Sequence, residues 1–269
     1  MRPSLILVLA VLSCGIQARA GDLVPFAPPW DDAAEGPLDL RRVFRQSAES
    51  LRPIRAREGH LFADGERIRL FGVNVTAGAN FPSPDDAPKI AARLASYGVN
   101  AVRFHFLDAR WGEPRLIRYE SGAWTNWNEE ALRRWDVFLH ELKQQGIYWN
   151  INLLVGRMFG VGDGVDPAIN RLDWKAAHAV GFFHRPHLEA QKAYARRLLD
   201  RTNSWTRLRV AHDPALAIVE LNNENGLIHT WMGGALDDLP EPFASDLQAQ
   251  WNRWLARRYA TAAAMAAAW

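Results

Sequence analysis

The chain reads as an α/β protein built on a parallel sheet, and three observations predict it. Four short apolar runs have the length and the bounding turn residues of strands. A segment with helical spacing follows each run and is long enough to cross back over a sheet. Polar residues gather at the carboxyl ends of the runs, where the crevice of such a sheet lies.

The first run is the second arm of a hairpin. His60-Leu-Phe-Ala-Asp-Gly-Glu-Arg-Ile-Arg-Leu-Phe-Gly-Val-Asn-Val75 has Asp64-Gly65 as a two-residue turn between alternating segments, and its second arm continues into an apolar strand ending at Asn74. A helix opens at Ser83-Pro84, carries Ile90, Leu94 and Tyr97 at helical spacing, and stops at Gly98. The second strand is Asn100-Ala-Val-Arg-Phe-His-Phe106. Residues Trp127 to Gln145 form an amphipathic helix with Leu132, Trp135, Phe138, Leu139 and Leu142 on one face, stopped by Gly146. Ile147 to Val155 is the third strand. An irregular region then runs to about Arg185, followed by a helix from Pro186 to Asp200. Ala215 to Leu221 is the fourth strand, and the tail from Pro242 to Trp269 is helical. By helical phase Trp135, Trp251 and Trp254 belong to the core. A Rossmann sheet would need a glycine fingerprint after its first strand, and Gly72-Val-Asn-Val-Thr-Ala-Gly78 has the wrong spacing.

With 269 residues, 48% of them hydrophobic, the chain can bury a sizeable core, and one domain is expected. The formal charge is +2, and basic clusters such as Arg196-Arg197 and Arg257-Arg258 are scattered among acids. That pattern is a solvated surface and not a nucleic-acid footprint. Residues 1–20 read as an export signal: Arg2, an apolar stretch from Leu5 to Leu12, and the small-residue site Ala18-Arg19-Ala20. The apolar stretch is too short to span a bilayer, and no later segment is longer. Val11-Leu12-Ser13-Cys14-Gly15 also resembles a bacterial lipobox, so cleavage after Ala20 and a lipid anchor at Cys14 are both open. With one cysteine in the chain, neither a disulfide nor a thiolate metal site is expected. Residues 21–58 are Pro-rich and then charged, without period, and read as a leader packing outside the domain 59–269.

The fourth strand ends in Glu220-Leu-Asn-Asn-Glu-Asn-Gly226. This cluster is what a strand-to-helix turn looks like, since amides tolerate left-handed backbone and cap helices. It is also what a catalytic lip looks like. A carboxyl there, with apolar strand behind it, can have its pKa raised by desolvation and act as a general acid. Glu224 is the candidate. Glu220, inside the strand, reads as an ion-pair partner. Arg103 and His105 lie two apart on the second strand and share a face. Arg103 is placed to keep a carboxylate ionised, or to form a salt bridge at the strand end. His105 lines the crevice or sits in the core. His178, His184 and His187 cluster without metal-ligand spacing, and no metal or cofactor is expected. Trp231, then Trp111 and Trp124, are placed as aromatic platforms near the strand ends. No Gly-x-Ser-x-Gly elbow is present.

Taken in order, Leu70-Phe-Gly-Val-Asn74, Tyr97-Gly-Val-Asn-Ala-Val-Arg103, Gly146-Ile-Tyr-Trp-Asn-Ile-Asn152 and Val219-Glu-Leu-Asn-Asn-Glu224 resemble the first half of a clan A glycoside hydrolase, cellulase-like and closest to family 5. The resemblance covers residues 59–269 and implies the first four β/α units of a TIM (β/α)8 barrel. It implies Asn223-Glu224 as the pair that supplies the acid/base and Arg103 as the arginine beneath the catalytic carboxylates; Asn223, Arg103, His105, Asn74 and Trp231 are together the residues expected about the substrate, an oligo- or polysaccharide. The family often has a histidine where Asn152 stands, so that contact is not carried over. The resemblance also places the nucleophile at the end of the seventh strand, about 90 residues past the acid. Only 45 residues follow Glu224, and the expectation is a chain cut before the fifth strand. A non-catalytic carbohydrate-binding or surface protein on the same scaffold is the alternative.

Overall fold

The computed structural model describes residues 30–31, 36, 39–41, 47–120 and 123–269, with the side chains of 119–125 left out of the description. The export signal 1–20, Cys14 and the start of the leader lie outside the described residues.

The leader contributes more than an outer wrapping. Residues β1 Ile54–Arg57, β2 His60–Ala63 and β3 Glu66–Ile68 form a three-stranded antiparallel sheet in that order. Both turns are two residues long with positive φ at each: Glu58 50° and Gly59 73°, then Asp64 51° and Gly65 83°. Such turns match the twist of a hairpin. The Asp-Gly turn was readable. The Glu-Gly turn was not, because glutamate rarely takes the first left-handed position, so β1 was missed.

The main sheet is parallel, and its strands appear in the expected order. Strand β4 Gly72–Thr76 is followed by α1 Ala87–Ser96, β5 Ala101–His105, the hairpin β6 Ile117–Glu120 and β7 Ala123–Trp127, and α2 Glu129–Gln144. Then come β8 Tyr148–Asn152, α3 Trp174–Val180, α4 Arg185–Leu199 and β9 Leu216–Glu220. The chain ends with α5 Leu227–Met232, α6 Phe243–Arg258 and α7 Ala262–Ala268. Sheet order is β4-β5-β8-β9, with Asn74 opposite Arg103, Arg103 opposite Asn150, and Asn152 opposite Glu220.

Alternation along each strand separates two faces. Val102, Phe104, Trp149 and Ile151 are buried under the helices, and Phe104 meets the rings of Trp135 and Phe138 on α2 edge-on at 5.7 and 5.9 Å. Asn74, Arg103, His105, Asn150, Asn152 and Glu220 alternate with them, on the opposite face. Left-handed Gly98 and Gly146 (φ 76° and 71°) stop α1 and α2 as anticipated.

Several expectations need correction. On α1, Ile90 and Leu94 pack against the core beside the buried Ala87, Ala91 and Ala95, while Tyr97 is exposed under the Arg93 guanidinium. Trp135 is in the core, but Trp251 and Trp254 are 44% and 42% exposed and stack on each other, centroids 5.0 Å apart. Helical phase shows that two residues share a face; it does not supply a partner to cover that face. The region read as irregular before Arg185 contains α3, whose two turns are too short to show a period, opened by Asp173 accepting from the Ala176 amide at 2.8 Å.

Candidate functional site

The polar face of the sheet converges on one carboxylate. Arg103 donates from Nε to Glu220 Oε1 at 2.8 Å and from Nη2 to Oε2 at 2.6 Å, a two-pronged pairing. Asn150 Nδ2 donates to Oε1 at 3.0 Å and Asn152 Nδ2 to Oε2 at 2.6 Å. The strand register sets this up: β8 lies between β5 and β9, so its inward amides sit between the arginine and the carboxylate. Hydrogen bonds from Arg103 hold the Glu220 carboxyl below the usual carboxylate range against the opposing pull of burial, and Asn150 adds to the effect. Glu220 is thus an ion-pair partner, and Arg103 acts on a carboxylate within this sheet.

The same arginine reaches the next loop. Arg103 Nη2 donates to Asn223 Oδ1 at 2.9 Å, which fixes the amide and leaves its NH2 group to donate elsewhere. The Asn223 amide bonds the Leu154 carbonyl at 2.9 Å, so parallel pairing continues past the end of β9. Glu224 follows with φ 48° and is exposed. Its expected desolvation is therefore not met: apolar strand lies behind the loop, but nothing described covers the carboxylate. Its charge is still felt at His105 on the inner face of β5.

Burial first, then the Arg103 charge, lower the His105 pKa; Glu220, Asp108 and Glu224 oppose this. Its ring lies 4.4 Å from Phe106, and its Nδ1 is buried without a hydrogen-bond partner among the described residues. Asn74 is exposed on β4, one strand from Arg103. Trp231 is 63% exposed on α5. Trp111 is exposed and packs on Phe106, centroids 4.8 Å apart, while the side chain of Trp124 lies outside the described residues. Asn150 and Asn152 were not singled out as partners of Glu220, although their two-residue spacing within a strand was the available signal.

The three histidines are near enough for His178 and His184 to add to the burial that lowers the His187 pKa, but each has different contacts. His178 bonds the Arg157 carbonyl, His184 meets Asp246 at 3.1 Å, and His187 is buried against Phe159. No group of three metal-ligating side chains occurs among the described residues. No described helix is long and apolar enough to cross a membrane.

No protein-family model matches the chain, and no curated protein matches it. Solved structures do. An endo-1,4-beta-mannanase from Rhizomucor miehei superposes with a TM-score of 0.52 at 18% identity, over 64% of this chain and 48% of the mannanase. The fold is a partial (β/α)8 barrel. Two further structures align less closely. One is an endo-beta-1,4-mannanase from Thermotoga petrophila, with TM-score 0.45 and 20% identity over 69% of this chain and 41% of that one. The other is a glycoside hydrolase family 5 mannosidase variant from Rhizomucor miehei in complex with mannosyl-fructose, with TM-score 0.49 and 14% identity over 71% and 53%. The barrel likeness agrees with the fold that the sequence resemblance implies, and the chain spans about half the length of the first mannanase. In a barrel of this kind, strand carboxyl ends carry the chemistry, and Asn223 and Glu224 stand at such an end.

Proposed function

We propose that this is the first half of an exported glycoside hydrolase that cleaves a β-linked glycan by a two-carboxylate, retaining mechanism. The observation that carries the proposal is the Arg103 bridge, which ties Glu220 inside the sheet to Asn223 beside Glu224. Glu224 acts as the acid that protonates the leaving glycosidic oxygen and then as the base that activates water. A second carboxylate about 5 Å away attacks the anomeric carbon, and it comes from the part of the barrel this chain does not span. Asn223, its oxygen occupied by Arg103, offers its NH2 group to a sugar hydroxyl next to the reacting centre. The exposed Trp231 and Trp111 rings serve as platforms for pyranose faces. Because the superposed enzyme is an endo-1,4-beta-mannanase, a β-1,4-mannan is the first polysaccharide to assay.

Glu224→Gln in the full-length protein tests the assignment. Loss of a general acid lowers turnover of substrates with poor leaving groups by about 10²- to 10⁴-fold. Unchanged turnover removes Glu224 from the mechanism.

One observation favours a second reading. Among the described residues, the one carboxylate on the inner face of the sheet, Glu220, is bonded to Arg103, Asn150 and Asn152 and is not free to attack a sugar. A non-catalytic carbohydrate-binding protein would need no second carboxylate. Oligosaccharide binding without any hydrolysis by the full-length protein would select this reading.

A further inference from the structure

The loop that presents Glu224 is held from the side by a helix the sequence did not reveal. Asp108, buried just past β5, accepts from the amides of Val155 (2.9 Å), Gly156 (3.0 Å) and Arg157 (2.9 Å). Three amides on one carboxylate fix the turn after β8, and with it the direction of the Arg157 carbonyl. His178 on α3 meets that carbonyl through Nε2 at 2.7 Å. A carbonyl only accepts, so Nε2 carries the proton and Nδ1 keeps its lone pair. Asn225 Nδ2 lies 3.2 Å from Nδ1 and donates to it. One turn earlier on α3, Lys175 Nζ donates to the Glu224 carbonyl at 3.2 Å. His178 is buried, and burial lowers its pKa, which keeps the ring neutral and in this tautomer.

We propose that His178 is a positioning residue for Glu224: anchored on the Arg157 carbonyl, its ring fixes the Asn225 amide and, with Lys175, holds the left-handed backbone that aims the carboxylate. The inference rests on the acid/base reading of Glu224. Left-handed φ is unfavourable for a residue with a Cβ, and the loop keeps it because the residues on either side are tied down.

His178→Phe keeps the ring and removes both hydrogen bonds, whereas His178→Gln keeps a donor and an acceptor. In the full-length protein, His178→Phe is expected to lower kcat for mannan hydrolysis about 10- to 100-fold with KM within about threefold, the cost of misplacing a reacting group. His178→Gln restores kcat to within about threefold. Asn225→Leu breaks the same contact from the loop side, and the double variant is no worse than the poorer single one, because both changes remove one interaction. If His178→Phe does not fold, Asn225→Leu with His178→Gln gives the same comparison. Amide exchange at residues 222–225 provides a readout independent of turnover: it accelerates in His178→Phe and Asn225→Leu and stays slow in His178→Gln. Unchanged kcat and exchange in His178→Phe, an equal loss in His178→Gln, or additive losses would overturn the inference. If Glu224→Gln leaves turnover intact, the acid/base reading fails instead, and the exchange result still reports on the contact itself.

Discussion

Arg103 joins two sets of contacts that would otherwise be separate, the Glu220 carboxylate with its two asparagines and the Asn223 amide in the loop beyond β9. Arg103→Met strips both and leaves a half-buried carboxylate with neutral partners only. Hydrogen bonds to charged groups contribute about 1.5–3 kcal/mol, so urea unfolding at pH 7 should show a loss on that order. Glu220 has its folded pKa lowered, so its contribution is present above the ordinary carboxylate range and is lost as pH falls through the lowered value. The Arg103→Met penalty should shrink in acid accordingly. His187 gives a separate test, because burial pushes its pKa down to about 3. Between the ordinary histidine value of about 6.5 and about 3, the unfolded chain holds a proton that the folded chain excludes. Stability therefore falls as pH drops through that window, and His187→Leu should flatten this part of the profile in denaturant titrations. Arg103, Asn223 and Glu224 could be singled out in the sequence because each stands at or near a strand end. Their hydrogen bonds could not, because a polar residue within a strand does not disclose which neighbour lies opposite.

Elements with a sustained period were legible to within a few residues. The helix α2 shows why: Leu132, Trp135, Phe138, Leu139 and Leu142 are all buried, and its start is fixed by Asn128. Asn128 Oδ1 accepts from the Ala131 amide at 3.3 Å and from Arg118 at 3.0 Å, and its Nδ2 donates to the Arg115 carbonyl at 2.9 Å. Asn128→Ala removes the cap and the tie to the β6 segment together and should cost about 1–2 kcal/mol, measured as a shift of the urea midpoint. The β6–β7 hairpin was missed although Ser121-Gly122 separates two runs rich in aromatic and β-branched residues; it lies in the connection between the second strand and its crossover helix, which reads as a loop. Helices α3 and α5 are seven and six residues long, below the length at which periodicity is informative. The missed α3 carries His178 and Lys175, so the support of the Glu224 loop was hidden along with it.

At the scale of the molecule, four parallel strands leave β4 and β9 as the two ends of the sheet. Apolar side chains are exposed beside β9: Leu221 at 74%, with Ile228, Trp231 and Met232 on α5. Unpaired strand edges next to apolar surface promote association. Residues 21–269 should therefore sediment as concentration-dependent oligomers, and Leu221→Lys with Ile228→Lys should shift them toward the monomer. Fold class was legible as a whole because strand and helix alternate in sequence, whereas the support of the Glu224 loop depends on contacts that no local pattern records. The central claim is that Glu224 is the acid/base of a retaining glycosidase, and chemical rescue of Glu224→Ala in the full-length protein tests it most directly. With a 2,4-dinitrophenyl β-glycoside, whose leaving group needs no acid, the glycosyl-enzyme forms and its slow hydrolysis limits turnover. Added azide should raise the rate and yield a β-glycosyl azide. A Glu224→Ala variant that hydrolyses the glycoside at the parent rate, with azide neither accelerating it nor appearing in the product, would contradict the account.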